Sequence, residues 1–148
     1  MHASRLRTGR YSETGRVYFV TTTTERRTPI FTDFALGRLV VSQFRTAQEQ
    51  GRAESLAWVV MPDHFHWLLS LESGSLSDLV GKVKACSARA INAKRRINGA
   101  VWQHGFHDRA VRAEEDLLAI ARYVVANPLR GKLVERLGDY PLWDAVWI

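Results

Sequence analysis

An α+β sandwich, with two helices covering one face of an antiparallel sheet, is the fold this sequence predicts. Three observations carry it. Apolar residues repeat with helical spacing in three separate segments, the runs between them are β-branched and aromatic, and the order reads strand, helix, strand, strand, helix, strand, helix. That split βαβ order is the ferredoxin-like arrangement, here with an extra C-terminal helix. The 148 residues fit one domain, and a chain of this length buries enough surface to fold without a disulfide or structural metal.

Residues 1–15 are polar, basic and aperiodic, and are expected to form an arm. From Arg16 to Thr24 the run Val-Tyr-Phe-Val-Thr-Thr-Thr-Thr reads as a strand. Thr32-Asp33 offers a helix cap, and Phe34, Leu36, Leu39, Val40, Phe44 and Ala47 follow at helical spacing until Gly51. Ser55–Met61 is an apolar strand, Pro62-Asp63 turns the chain, and His64–Leu71 is the next strand. Alternation on that strand sets Phe65, Trp67, Leu69 and Leu71 on one face, against His64, His66, Leu68 and Ser70 on the other. The apolar face is expected to meet the two helices, leaving the histidine face open with the third helix near it.

After the loop Ser73-Gly74-Ser75, a helix of about 20 residues is expected to run to Asn98-Gly99. Its seam is read as Leu76, Leu79, Val80, Val83, Ala90 and Ile97. Val101–Val111 reads as a strand interrupted by Gly105. Glu114, Glu115 and Asp116 suit a helix start, and Leu117, Ile120, Ala121 and Val124 form the stripe of a third helix, which Pro128 ends near Asn127. The tail, 131–148, is rich in aromatic residues and is expected to pack back on the domain.

Composition narrows the function. Lys plus Arg number 21 against 15 acidic residues, a formal charge of +6, which attracts polyanions such as DNA or RNA. The basic residues cluster as Arg5, Arg7, Arg10, Arg16, Arg26 and Arg27, and again as Lys82, Lys84, Arg89, Lys94, Arg95 and Arg96. One cysteine, Cys86, excludes an internal disulfide framework. With neither a signal-like leader nor an apolar run long enough for a bilayer, a cytoplasmic protein without membrane partners is expected. Phosphate-binding glycine loops, dinucleotide fingerprints and a Ser-His-Asp arrangement are all absent from the sequence.

Two constellations can carry chemistry. On a strand, His64 and His66 put both imidazoles on one side, with backbones about 6–7 Å apart, close enough to share one metal ion. Two half-exposed surface histidines fit the same pattern. On a helix, Tyr123 and Asn127 are neighbours one turn apart, at the edge of the apolar seam. A core-edge tyrosine and a helix-ending asparagine fit that pattern equally. His104 and His107 flank Gly105-Phe106 and can be ligands, bases, DNA contacts or ordinary strand histidines.

Taken in order, these segments resemble the HUH single-tyrosine transposases, and within them the REP-associated tyrosine transposases. The resemblance rests on the run Val-Met-Pro-Asp-His-Phe-His-Trp-Leu-Leu from Val60 to Leu69, on Trp-Gln-x-Gly-Phe-His-Asp-Arg from Trp102 to Arg109, and on Tyr-Val-Val-Ala-Asn-Pro-Leu-Arg from Tyr123 to Arg130. The Tyr18-Phe-Val-Thr strand before Arg26-Arg27 and the closing Tyr140-Pro-Leu-Trp143 also fit, so the likeness covers residues 10–148. It implies metal-dependent cleavage and rejoining of single-stranded DNA beside hairpin-forming, REP-like palindromes, through a 5′-phosphotyrosine. Carried over by position, His64 and His66 match the metal pair and Tyr123 the nucleophile. Asn127 stands where relatives place a third polar ligand, often a longer Gln. The ion implied is Mg2+ or Mn2+, the single tyrosine points to the one-tyrosine branch, and relatives occur as monomers or as homodimers. Arg5, Arg7, Arg10, Arg26, Arg27, Lys82, Lys84 and Arg89 are the candidate DNA contacts. The competing readings are an idle nucleic-acid-binding module of the same fold, and a hydrolytic metal nuclease using His64, His66, His104 and His107.

Overall fold

The computed structural model describes residues 12–112 and 115–146. Strands β1 (Val17–Thr23), β2 (Ala53–Met61), β3 (His64–Leu71), β4 (His107–Ala110) and β5 (Trp143–Ala145) form one antiparallel sheet in the order β4-β1-β3-β2-β5. The first four strands in that order are the ferredoxin-like sheet the element order predicts. The fifth is an edge strand supplied by the tail.

Helices α1 (Phe34–Glu49) and α2 (Leu76–Arg95) pack against each other over one face. Both start on side-chain caps: Asp33 accepts from Ala35 N, and Ser75 accepts from Asp78 N. Gly51 stops α1 in the left-handed conformation, φ 70°, that glycine takes without a Cβ penalty. Phe44 of α1 anchors this layer, with its ring 4.4 Å from Trp67 and 5.1 Å from Phe65 between centroids. The apolar face of β3 therefore meets the helices as its alternation predicts.

The seam of α2 differs from expectation at its end. Ser87 and Ile91 are buried there in place of Ala90 and Ile97, and Ile97 lies past the helix, 44% exposed. Four-residue steps from Val83 lead to positions 87 and 91, and the buried Ser87 hydroxyl is satisfied by Trp102 Nε1 at 3.0 Å. The strand expected over 101–111 shrinks to His107–Ala110 plus an isolated bridge between Thr24 and Trp102. Gly105 at φ 75° turns the chain, and the Lys84 ammonium holds the turn by donating to Gln103 O at 2.8 Å and Gly105 O at 2.6 Å.

The end of the expected N-terminal arm is fastened down. Ser12 Oγ accepts from Leu76 N at the start of α2, and Gly15 N donates to Leu71 O. Arg5, Arg7 and Arg10 lie outside the described residues.

Helix α3 (Leu117–Val125) contacts β2, β3 and β5, and a short helix α4 (Asn127–Arg130) follows, with Pro128 in its first turn. Proline is tolerated there because that N–H needs no intrahelical partner. The chain thus ends one helix and restarts another around Asn127. Leu142 and Tyr140 are buried, and Tyr140 Oη donates to Val60 O. This burial of the tail matches its aromatic composition. No helix among the described residues is long and apolar enough to cross a membrane.

Candidate active site

The two histidines stand side by side near the start of β3, where pairing fixes their neighbours. His64 lies opposite Thr23 of β1 and Met61 of β2, and His66 lies opposite Thr21 and Val59. Directly opposed residues share a face. The imidazoles, Thr21, Val59 and Met61 therefore project from the face opposite α1. Their ring centroids are 4.8 Å apart at 72°.

Each imidazole is held through Nδ1. His64 Nδ1 is 2.7 Å from Asp63 Oδ1, while Asp63 Oδ2 accepts from Arg27 Nε at 3.1 Å. His66 Nδ1 is 2.7 Å from Thr21 Oγ1, and Phe19 packs on the same ring at 5.3 Å. With Nδ1 engaged by these oxygens, Nε2 is the ring nitrogen left on each histidine for an ion. Burial acts to raise the Asp63 carboxyl, but its hydrogen bond to His64 and the charges of His64 and Arg27 outweigh this and leave it below the usual range. Burial, followed by the charges of His64 and Arg130, pushes His66 down to about 3, so its ring stays neutral near neutral pH.

Above this face lies α3. It buries Ala121, Val124 and Val125, and its Tyr123 side chain is 54% exposed. The Arg130 guanidinium stacks on that phenol with Cζ 3.9 Å from the ring centroid, and Arg130 Nη2 donates to Tyr123 O at 2.9 Å. Asn127 Nδ2 donates to Val124 O at 2.9 Å and Tyr123 O at 3.3 Å, which turns the amide oxygen away from the helix's own carbonyls. Met61 ties α4 to the histidine strand pair: a Cβ at Gly131 would lie 3.3 Å from Met61 Cε, and Met61 is the register partner of His64.

As for a metal, the donor set is two imidazoles whose Nδ1 atoms are already held. No group of three or more His, Cys, Asp and Glu among the described residues could hold an ion. Any further ligands must be amide, water or phosphate oxygens, which suits a hard divalent ion that keeps part of its coordination for substrate. His107 lies opposite Thr21 on the other side of β1, in the same cross-sheet row as His66. His104 is exposed in the loop before β4.

The candidate DNA contacts divide. Arg26 and Arg27 occupy the turn after β1, both with positive φ, and Arg27 reaches the histidines through Asp63. Lys82 is exposed on α2, Arg89 donates to Cys86 Sγ, and Lys84 is half-buried against its two carbonyls. Sequence reasoning missed Asp63, Thr21 and Arg130. Asp63 was legible as the residue beside His64, and Arg130 as two turns beyond Tyr123. Thr21 becomes visible only once the strand register is known.

The family model for IS200-like transposases matches residues 14–127. A Haemophilus influenzae protein provisionally named a REP-associated tyrosine transposase is 25% identical over 143 residues, covering 86% of this chain and 78% of that protein. A REP-associated tyrosine transposase of Escherichia coli is 29% identical over 87 residues, 57% of this chain and 50% of that protein. Among solved structures, a REP-associated tyrosine transposase bound to a REP hairpin superposes with a TM-score of 0.76 at 24% identity, covering 93% of this chain and 81% of that one. A protein from Deinococcus radiodurans, provisionally named a transposase, gives 0.55 at 23% identity, covering 80% of this chain and 95% of that one. The chain belongs to the IS200-like transposase family, a family of DNA transposition enzymes, and is of the REP-associated tyrosine transposase type.

Proposed function

We propose that this transposase cleaves and rejoins single-stranded DNA beside hairpin-forming palindromic repeats, with Tyr123 as nucleophile and His64, His66 and Asn127 as metal ligands. The observation that carries the reading is that the helix bearing an exposed tyrosine packs over the sheet face that holds two pre-oriented imidazoles. The solved relative bound to a REP hairpin, which has the same fold, supports hairpin DNA as the partner.

A phenol with an ordinary pKa near 10 is mostly protonated at neutral pH, so it needs an activated target and a fixed direction of approach. His64, His66 and Asn127 would hold a divalent ion, Mg2+ or Mn2+, which would supply charge withdrawal from the scissile phosphate. Tyr123 Oη attacks phosphorus in line as its proton departs to solvent. The bond from phosphorus to the 3′-oxygen breaks, and that oxygen leaves as a hydroxyl. The 5′-phosphate stays on Tyr123, and a 3′-hydroxyl on the same or another strand reverses the step. Asp63 and Thr21 hold the imidazoles against rotation throughout. Arg26, Arg27, Lys82 and Arg89 are backbone contacts in this reading, with Arg5, Arg7 and Arg10 as the further basic candidates, whereas Lys84 is set apart by its bonds to Gln103 O and Gly105 O. A strand nickase activity follows whenever rejoining fails.

The test uses a panel of hairpin oligonucleotides with short single-stranded flanks, incubated with the protein and Mn2+ or Mg2+. Wild type should give a cleaved strand, and Tyr123→Phe should lose cleavage while still binding the hairpin. Cleavage that survives Tyr123→Phe and releases a free 5′-phosphate overturns the reading in favour of a hydrolytic nuclease. Hairpin binding by wild type without cleavage of any member of the panel overturns it in favour of an idle binding module.

A further inference from the structure

Arg130 belongs to neither the imidazole pair nor the nucleophile, yet its side chain is pinned at two points. One face of the guanidinium lies on the Tyr123 ring at 3.9 Å, and Nη2 donates to the Tyr123 carbonyl at 2.9 Å. An exposed arginine gives up considerable rotamer freedom to be held this way. The stack on a solvent-exposed phenol returns only a small part of that cost. Of the five N–H donors on a guanidinium, one serves the carbonyl, and the planar fork retains donors of the geometry that phosphate oxygens accept.

The position of this cation is as telling as its attachment. Gly131 lies against Met61, whose partner in register is His64, so the end of α4 is seated against the strand pair that carries the histidines. Asp63, the carboxylate beside the pair, is already engaged by His64 and Arg27. The Arg130–Tyr123 stack thus belongs to the segment whose end packs against the histidine strands.

Building on the cleavage reading above, we infer that Arg130 is a substrate-contacting residue of the cleavage step: seated on the Tyr123 ring, its guanidinium fixes the direction of the phenol and binds a non-bridging oxygen of the phosphate under attack. The same hydrogen bond persists after transfer, because the phosphate then hangs from Tyr123 itself. Arg130 thereby holds the phosphotyrosine facing the site until a 3′-hydroxyl arrives. The chemistry recognised is a phosphodiester, independent of base sequence.

Single-turnover cleavage with Mn2+ separates this role from a structural one. Arg130→Ala should lower the cleavage rate about 100-fold, the usual cost of removing one pre-organised donor. Its hairpin Kd should stay within about threefold, since one contact at the scissile position adds little to a binding surface spread along the backbone. Arg130→Lys keeps the charge without the planar fork and should recover at most about a tenth of the lost rate. The decisive readout is a substrate with sulfur replacing one non-bridging oxygen at the cleaved linkage. For one stereoisomer, wild type should slow more than Arg130→Ala does. Equal slowing of both proteins by both stereoisomers, or an Arg130→Ala rate within threefold of wild type, overturns the inference. If Arg130→Ala does not fold, Arg130→Lys is read on the same substrates by the same criterion. Loss of this effect with wild-type cleavage intact leaves the Tyr123 reading standing, whereas a wild type that never cleaves removes both.

Discussion

Asp63 and Thr21 show how single residues prepare the site. Each lies 2.7 Å from the Nδ1 of one imidazole, which restrains ring rotation before any ion arrives. Partners of this kind are worth about 10–100-fold in metal affinity. Asp63→Ala should therefore weaken Mn2+ binding by about that factor, measured by calorimetry, and Thr21→Val should act in the same direction. Unchanged affinity in both variants would mean that the imidazoles need no outside orientation. The two residues were not equally visible beforehand. Asp63 adjoins His64 in the sequence, but the contact of Thr21 with His66 spans 45 positions and depends on the pairing of β1 with β3. Tyr123 and Asn127 were legible as a one-turn pair, and Arg130 as a position two turns past Tyr123, although two helices, not one, carry the segment.

At the level of elements, the tail decides how the histidine face is framed. β5 adds to the edge of β2, and Leu142 just before it is buried close to Gly37 of α1, where a Cβ would lie 2.5 Å from Leu142 Cδ1. Gly37 thus gives the tail room to close against the first helix. Leu142→Ala should cost about 2–5 kcal/mol, the range for emptying a buried leucine site, read from denaturant or thermal unfolding. A loss below about 1 kcal/mol would mean that the tail packs loosely. Periodicity predicted strands β1 to β3 and all three long helices because each has an uninterrupted pattern. β5 escaped because it has three residues, too few to show an alternation. β4 was predicted too long because Gly105 turns the chain and Lys84 ties that turn to α2.

Across the whole molecule, charge and shape share the work of binding. A formal +6 favours DNA of any sequence, with affinity falling as salt rises. The exposed Lys82 and the half-buried Lys84 should then behave differently although they stand two residues apart. Lys82→Ala should reduce the slope of log Kd against log salt by about one contact. Lys84→Ala should leave the slope nearly unchanged and lower the unfolding midpoint, because its ammonium serves Gln103 and Gly105. Equal changes in both slopes would return Lys84 to the DNA surface. The ferredoxin-like layering was readable from element order, since that order admits few topologies. The assignment of helices to faces was readable only on β3, where the alternation separates aromatic from histidine positions.

The central claim is that the hydroxyl of Tyr123 takes up the DNA 5′-phosphate at the ion held by His64 and His66. Its most direct measurement is mass spectrometry of the protease-digested covalent protein–DNA adduct, formed with Mn2+ and compared with a chelator-treated control. The phosphonucleotide should map to the peptide containing Tyr123, and should disappear with chelator and in a His64→Ala, His66→Ala double variant. An adduct on any other residue, or one that forms equally well in the double variant, would contradict the account.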